Sequence, residues 1–289
     1  MTSDLEIRPL AGIGEYRACV ALQEATWGEG FSERVPTAIL KVAQILGGVA
    51  SGAWSANGRL EGFVFGMTGV RAEEVVHWSD MLAVRSDMRG RGLGRALKLH
   101  QRQLLLARGI RTMLWTFDPL RARNAHLNFA KLGIVAADYR LDMYGDTDSP
   151  LHRGIGTDRL IALWLLDSPR VVARISTPYT TAGSRDRPSS AADPWPTMGT
   201  RAIVDRQPGP ADLPRPSTPD LERSEPILRV VVPPDIGRII EQDPSLGQAW
   251  RDATRAAFDH YLSRGWRVQE FVRDPQAPAY VLQKTEEST

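Results

Sequence analysis

The chain has 289 residues, of which 42% are hydrophobic and 24% are charged, a composition typical of globular proteins with one large domain or two small ones. The formal net charge is only +2, so no strongly basic surface for nucleic acid is expected. The single cysteine excludes an intrachain disulfide and a cysteine-rich metal site, and no apolar run is long enough to cross a membrane. We therefore expect a cytoplasmic protein that uses no metal and binds neither nucleic acid nor a membrane.

Hydrophobic periodicity predicts alternating strands and helices over residues 5–166. The Asn57-Gly58 pair between two apolar runs is a strong signal for a β-hairpin, and Gly133 marks the expected end of a later helix. In chain order, we predict a strand (5–10), two helices (14–27 and 36–46), three strands (49–55, 60–69 and 75–84), a helix (93–108), a strand (111–117), a helix (124–132) and two strands (137–144 and 159–166).

The composition changes after residue 168. Residues 169–225 are rich in proline, serine and arginine, and they offer too little apolar surface to offset the entropy that folding costs. We therefore predict a domain at residues 1–168, a flexible linker at 169–225 and a small α/β extension at 226–289. The extension is small for an independent domain, so we expect it to pack on the first domain or across a homodimer. Within it, Asp243 and Pro244 are the expected start of a helix.

The stretch 84–95, Val-Arg-Ser-Asp-Met-Arg-Gly-Arg-Gly-Leu-Gly-Arg, alternates glycines with arginines between a predicted strand and a predicted helix. Free backbone N–H groups at a helix start favour a phosphate, and glycines let the backbone approach it closely. A dinucleotide-binding loop would need its third glycine at the position of Arg95, and a Walker A loop would need Gly-Lys-Ser/Thr. Both alternatives fit poorly, so we predict a cradle for another phosphate-bearing ligand.

The spacing Arg89-x-x-Gly92-x-Gly94 resembles the acyl-CoA pyrophosphate loop of the GNAT (GCN5-related) N-acetyltransferase superfamily. The predicted order of elements over residues 5–166 is similar to the order in that family. The segment 124–133, Asn-Ala-His-Leu-Asn-Phe-Ala-Lys-Leu-Gly, resembles the family's helix along the pantetheine arm. The resemblance implies the GNAT fold, an α/β fold with a central mixed, mostly antiparallel sheet flanked by helices. Here a small α/β extension would follow it.

The resemblance also implies how an acyl-CoA would be bound. The backbone at the end of the strand before the loop would pair with pantetheine and polarise the thioester carbonyl. The loop and the helix start would bind the pyrophosphate. The implied binding residues are Leu82, Ala83, Val84, Arg89, Gly90, Arg91, Gly92, Leu93, Gly94, Arg95, Asn124 and Phe129.

The resemblance further suggests catalytic residues. Asp80 lies where the family often places a side chain that relays the proton of the amine; the alternative is an edge-facing carboxylate paired with an arginine. Many members carry a tyrosine, proposed to protonate the leaving thiolate, where this chain has Phe129. Because a phenyl ring has no proton to give, we predict that Tyr144 or Tyr139 supplies it, or that the thiolate leaves unaided.

The superfamily commonly builds its acceptor pocket from the last part of the core, where this chain is rich in polar and aromatic residues. Arginine can hold a carboxylate through two hydrogen bonds, which favours an amino-acid-like acceptor or a dicarboxylic acyl group. Loop charges that face solvent are the alternative. On the extension, Arg251 and Arg255 are four residues apart and could reach an anion, but we expect them to form a solvated basic face. The candidate pocket residues are Tyr139, Tyr144, His152, Arg153, Asp158 and Arg159.

Short motifs, among them Trp27-Gly28 and Trp250-Arg-x-x-Thr-Arg255, resemble a GNAT branch with a C-terminal extension, some relatives of which are linked to N-succinylation of amino acids. Acetyl-CoA and succinyl-CoA are therefore both candidate donors. We predict an N-acyltransferase that moves an acyl group from acyl-CoA to a primary amine of a small, amino-acid-like molecule by direct transfer in a ternary complex. The alternative, favoured by Phe129 and the long C-terminal appendage, is a non-catalytic acyl-CoA-binding or regulatory module.

Overall fold

The structure is a computed structural model, and it describes residues 5–145, 154–176 and 201–285. The chain forms two compact units. The first comprises Met1–Trp115 and Trp164–Arg187, and the second comprises Thr116–Leu163 and Pro188–Thr289.

Helices and strands are mixed along the described chain. In order they are β1 (Leu5–Pro9), α1 (Gly12–Trp27), α2 (Thr37–Ile45), β2 (Val49–Ser55), β3 (Leu60–Arg71), β4 (Glu74–Val84), α3 (Leu93–Ala107), β5 (Thr112–Phe117), α4 (Ala122–His126) with a π-helix (Leu127–Leu132), β6 (Val135–Arg140), β7 (Arg159–Leu165), α5 (Pro169–Ser176), β8 (Ala202–Val204), β9 (Arg206–Gln207), β10 (Arg215–Pro216), β11 (Ile227–Val231), α6 (Ile236–Gln242), α7 (Pro244–Leu262), β12 (Trp266–Val272) and β13 (Ala279–Lys284).

In the first unit the strands follow the order β1-β2-β3-β4-β5. Neighbours are antiparallel except for the parallel pair of β4 and β5. A hydrophobic cluster joins α1 and α2 to this sheet, and Cys19, Leu40 and Phe63 are among its fully buried members. Gly62 neighbours Phe63 and so faces the opposite side of β3, where a Cβ atom would lie 3.1 Å from Leu97 of α3. The glycine therefore lets α3 lie close to the sheet.

In the second unit the strands follow the order β7-β6-β12-β13-β11-β8. Neighbours are antiparallel except for the parallel pair of β11 and β8. Helix α7 begins as predicted, since the Asp243 side chain accepts a hydrogen bond from the Leu246 N–H and Pro244 occupies the first turn. Trp250 and Phe258 of α7 are fully buried, so this helix supplies much of the unit's core.

The predicted α/β class, with a mostly antiparallel sheet flanked by helices, is confirmed. Most predicted elements also lie within a few residues of the observed ones. Two local predictions differ. The strand predicted at 137–144 ends at Arg140, and Tyr144 lies in the turn that follows. The helix predicted at 124–132 is the short α4 followed by a π-helix that ends at Gly133.

The boundaries of the two units do not coincide with the boundaries of the predicted domains. Strand β6 pairs with β12 through Ala136 and Val268, so residues predicted for the first domain share a sheet with the predicted extension. The predicted linker contains α5 and β8–β10, because a few buried apolar residues such as Ile203 and Leu213 supply contacts that its overall composition conceals. Residues 177–200 of that linker lie outside the described residues.

In the part of the chain that the structure describes, no helix has both the length and the apolar character needed to cross a membrane. The same residues contain no group of three or more His, Cys, Asp or Glu side chains that could hold a metal ion.

Candidate functional site

The glycine loop joins β4 to α3 in the first unit. Gly90 and Gly92 both have a left-handed backbone, with φ of 79° and 84°, which residues with side chains rarely adopt. Gly92 is the N-cap of α3, and no side chain caps this helix start. The N–H groups of the first turn and the helix dipole together favour an anion at this point. The loop therefore fits the pyrophosphate that the sequence predicts.

The arginines of the loop differ in what they contact. Arg89 and Arg91 are exposed, and the Arg89 Nε atom donates to the Val84 carbonyl at 3.1 Å. Arg95 donates from Nη2 to the carbonyl of Ile175 in α5 at 2.6 Å. Arg95 is therefore tied to an element distant in sequence, α5, whereas Arg89 contacts the strand directly before the loop.

Strand β4 has one open edge. It pairs with β3 along its whole length, from the Arg71–Glu74 pair to the Gly62–Val84 pair. It pairs with β5 only at positions 76–78. From residue 79 to residue 84, the edge of β4 on the β5 side therefore has no β5 partner. The predicted pantetheine contacts Leu82, Ala83 and Val84 lie on this segment, where backbone polar groups can pair with an extended ligand.

Asp80 is the extra residue of a β-bulge in β4. Phe65 pairs with Met81 and Gly66 pairs with Ser79, so Asp80 has no partner on β3. Asp80 is exposed, but the protein around its carboxylate still excludes part of the surrounding water, which raises the pKa. A hydrogen bond with Trp78 has the opposite, smaller effect, so the pKa of Asp80 is raised on balance. The alternative prediction of a carboxylate paired with an arginine finds no such pair at Asp80 among the described residues.

Tyr139 is buried and its hydroxyl donates to Asp158 Oδ2 at 2.7 Å. Burial, followed by the negative charge of Asp158, raises the pKa of Tyr139 far above its usual value. Arg255 donates to both oxygens of Asp158, from Nε at 2.8 Å and from Nη2 at 2.7 Å. Burial opposes ionisation of Asp158, but these hydrogen bonds outweigh it and lower the pKa. The hydroxyl of Tyr139 is therefore committed to a structural cluster, which makes it a poor proton donor.

Tyr144 is the more accessible of the two predicted tyrosines, with 39% of its surface exposed. Its hydroxyl shares a hydrogen bond of 2.8 Å with Thr116 Oγ1, and its ring centroid lies 5.1 Å from the Arg159 guanidinium carbon. The Tyr144 N–H donates to Thr157 Oγ1 at 3.1 Å, which holds the turn that carries it. His152 and Arg153, also predicted for the acceptor pocket, lie outside the described residues.

Phe129 lies in the π-helix and is fully buried. Its ring packs edge-on against Phe117 and Tyr280, with centroids 6.1 Å and 5.8 Å away. The structure thus gives the Phe129 side chain a core position, where it cannot line a ligand arm as predicted. Asn124, the other predicted contact on this helix, is exposed.

Arg251 of α7 is fully buried, and its Nη2 donates to Asp118 Oδ1 at 2.9 Å. Burial opposes ionisation of Asp118, but the Arg251 charge and a hydrogen bond from the Leu120 N–H lower the pKa on balance. The expectation of a solvated basic face for Arg251 and Arg255 is therefore wrong. Charge alone did not reveal the acidic partners because these are 97 to 133 residues away along the chain.

A buried polar group next to Asp80 was not predicted. Lys98 and Gln101 of α3 contact Ser79 of β4, and Gln101 also contacts His77. The sequence carries one signal for it, since Lys98 and Gln101 alternate with Leu97 and Leu105 on the face of α3 that packs inward.

Residues 17–133 match the family model described as the acetyltransferase (GNAT) family. The match supports an acyltransferase. The match covers less than half of the chain, and over these residues the sequence is similar to the GNAT acetyltransferase family. None of the curated proteins matches the sequence significantly.

The solved structures that match the chain include three at low sequence identity and low TM-score. The ribosomal-protein-S18-alanine N-acetyltransferase from Escherichia coli is 20% identical, with a TM-score of 0.44 over 61% of this chain and 99% of that chain. The Salmonella typhimurium protein yncA, solved with its cofactor acetyl-CoA, is 18% identical, with a TM-score of 0.45 over 57% and 96%. Arabidopsis thaliana Naa50, in complex with the bisubstrate analogue CoA-Ac-MVNAL, is 12% identical, with a TM-score of 0.44 over 55% and 97%. Similarity this distant says nothing about the substrate of this chain.

Proposed function

We propose that the protein is an N-acyltransferase that moves an acetyl or succinyl group from acyl-CoA to the primary amine of a small, amino-acid-like molecule. One observation carries the proposal. A bulged strand with an open edge is followed, across a short loop, by an uncapped helix start with two left-handed glycines. An acyl-CoA has an extended arm with two amides and, further along, a pyrophosphate. The strand edge suits the arm and the helix start suits the pyrophosphate.

The chain's own groups have defined tasks in this proposal. Backbone groups at residues 82–84 would hold the arm and polarise the thioester carbonyl, which carries the negative charge in the transition state. Asp80, whose raised pKa makes it a stronger base than an ordinary carboxylate, would accept the proton of the attacking amine. The amine nitrogen bonds to the carbonyl carbon, the C–S bond breaks and CoA leaves as its thiol. Tyr144 stays the predicted proton donor for the thiolate.

The acceptor class is tested by turnover. Release of the CoA thiol is measured with acetyl-CoA and with succinyl-CoA, against a panel of free amino acids and a short peptide with a free N-terminus. We expect release that depends on a free amino acid. Release only with the peptide would replace the proposed acceptor by a protein amine. Binding of acyl-CoA without turnover would favour the non-catalytic module. A homodimer and a cytoplasmic location stay predictions.

The assignment of the loop is tested by Gly92→Glu, which adds a carboxylate where the pyrophosphate would lie. We expect affinity for CoA, measured by calorimetry, to fall at least about tenfold because of charge repulsion and a blocked helix start. Gly109→Glu is the matched control. It has a similar φ of 76° and open space around it, and it lies after the other end of α3. Equal affinities of the two variants would contradict the assignment.

The role of Asp80 is tested by Asp80→Asn, which keeps the shape of the side chain and removes the base. We expect kcat/KM to fall by roughly 10²- to 10⁴-fold. Glu74→Gln is the control, since it removes an exposed carboxylate at the other end of the same strand. An Asp80→Asn variant with the activity of the control would eliminate Asp80 as the base.

A further inference from the structure

Lys98 is a buried cation for which the described part of the chain provides no acidic partner. Only 6% of its surface is exposed, and its Nζ atom lies 2.8 Å from Ser79 Oγ and 3.9 Å from the centroid of the Trp115 ring. Among the described residues, no carboxylate forms an ion pair with it. Burial lowers the pKa of Lys98 to about 7, so the surrounding protein makes its charge costly.

From Lys98 to His77, each group donates a hydrogen bond to the next one. Lys98 donates to the Ser79 hydroxyl, which donates to Gln101 Oε1 at 2.9 Å. Gln101 Nε2 lies 2.9 Å from His77 Nε2. Because an amide nitrogen can only donate, His77 Nε2 accepts and the ring carries its proton on Nδ1.

This series of hydrogen bonds continues from His77 to Thr68 of β3 and ends at the Gly47 carbonyl. His77 Nδ1 lies 3.1 Å from Thr68 Oγ1, and that hydroxyl donates to the Gly47 carbonyl at 2.9 Å. Burial, followed by the charges of Lys98 and Arg108, lowers the pKa of His77 to about 3, so its ring is neutral near pH 7. Every polar group from Lys98 to Gly47 therefore has a partner.

Shape as well as hydrogen bonding maintains this arrangement. Gly66 of β3 lies under the His77 ring, where a Cβ atom would be only 2.3 Å from Nε2. Leu97 and Leu105, on the same helix as Lys98, are fully buried, so an apolar side chain would suit position 98 as well. A lysine at such a position costs stability, and departures of this kind concentrate where function requires them.

Lys98 and Ser79 tie together the two elements of the proposed donor site. Ser79 directly precedes the bulge residue Asp80 on the open segment of β4. Lys98 lies on α3, whose uncapped first turn begins at Leu93. If the proposed function holds, these elements bind different parts of one acyl-CoA. The contact between Lys98 and Ser79 then sets the position of the thioester segment relative to the pyrophosphate cradle.

We propose that Lys98 is a positioning residue for acyl transfer, which holds the bulged segment of β4 against α3 through the Ser79 hydroxyl. The proposal rests on the proposed function. It concerns the alignment of the thioester and predicts that loss of the contact affects kcat more than the binding of acyl-CoA, since the pyrophosphate cradle is unchanged.

The test compares Lys98→Met, Ser79→Ala and the double variant with the wild type, measuring kcat and KM for acyl-CoA. We expect each single variant to lower kcat by about tenfold to a hundredfold, with KM for acyl-CoA changed less than about threefold. Because both residues act through one contact, the double variant should lose no more than the worse single variant. Lys98→Gln, which keeps a donor, should recover part of kcat, and Lys41→Met, at an exposed lysine of α2, should behave as wild type.

Three results would overturn the proposal. One is a Lys98→Met variant with kcat within about twofold of wild type; another is a double variant whose loss is the product of the single losses. The third is a rise of KM for acyl-CoA with an unchanged kcat, which would make Lys98 a binding residue. If Lys98→Met does not fold, Ser79→Ala and Lys98→Gln decide by the same criteria. A wild type without turnover on any acyl-CoA would overturn the proposed function as well.

Discussion

The buried cations Arg251 of the second unit and Lys98 of the first have different kinds of partner. In the second unit, Arg251 and Arg255 pair with Asp118 and Asp158 at 2.9 Å and 2.7 Å. In the first unit, the partners of Lys98 among the described residues are a hydroxyl and an aromatic ring. The paired aspartates have lowered pKa values and stay ionised near neutral pH. Lys98 has a pKa of about 7, so it loses its charge as the pH rises through the neutral range.

This difference in partners indicates that the arginines of α7 and Lys98 have different roles. A buried ion pair is expensive to break, because removal of one partner leaves the other charge without its main partner. The arginines of α7 therefore secure the C-terminal residues to the turn and loop residues of the second unit. A buried lysine without a carboxylate adds no such security. Its presence beside Ser79 and the bulge is consistent with the positioning role proposed above.

The largest effect is expected when an ion pair of the second unit is broken. Arg251→Met removes the buried cation that is hydrogen-bonded to Asp118 and leaves this carboxylate with the longer contact of Arg121, 3.8 Å from Asp118 Oδ2. It should lower the free energy of unfolding by about 3–5 kcal/mol, measured by urea denaturation. Arg267→Met, which removes an exposed arginine of β12, should change it by less than about 0.5 kcal/mol. A loss from Arg251→Met as small as that of the control would mean that the pair contributes nothing to stability.

A smaller effect is expected from the pH dependence of Lys98. Its pKa is about 7 in the folded chain against an ordinary 10.5, so between these values the unfolded chain binds more protons. The free energy of unfolding should therefore rise from pH 7 to pH 9, by up to about 1.4 kcal/mol per pH unit from this group. Urea titrations should show this slope in the wild type and in Lys41→Met, and a flatter one in Lys98→Met. Parallel slopes for all three would show that Lys98 has no lowered pKa.

The smallest effect concerns a neutral member of the paired cluster. Tyr139→Phe removes one hydrogen bond to Asp158 but leaves Arg255 in place, so we expect a loss of about 1 kcal/mol in the free energy of unfolding. Tyr144→Phe, at an exposed tyrosine, should cost less than about 0.5 kcal/mol but lower kcat more than Tyr139→Phe does. The opposite order of the two kcat values would return Tyr139 to the role of proton donor.

Much of the fold could be predicted because its signals are local. Strand and helix periodicities, the Asn57-Gly58 turn and the Asp243-Pro244 helix start each depend on neighbours within a few residues. The place of the glycine loop was predictable for the same reason, since a loop that leads into a helix start is built from consecutive residues. The linker was predicted less well, because composition averages over the few apolar residues, such as Ile203 and Leu213, that α5 and β8–β10 and their surroundings bury.

The side-chain partners were predicted poorly because they are distant in sequence. Phe129 was expected along a ligand arm, yet its ring packs on Tyr280. Arg255 was expected in solvent, yet it binds Asp158. Pairing across 97 or more residues depends on which strands become neighbours, and no local pattern carries that information.

The sequence by itself determined the class of fold, the order of elements and the glycine loop, because backbone preference and hydrophobic spacing act between near neighbours. Only the tertiary structure decided which charges are paired, that β4 opens and bulges at Asp80, and that Lys98 lies against Ser79. These features follow from the packing of α3 on the sheet and of α7 in the second unit. Burial then sets the cost of each charge, and with it the pKa values on which the predicted behaviour depends.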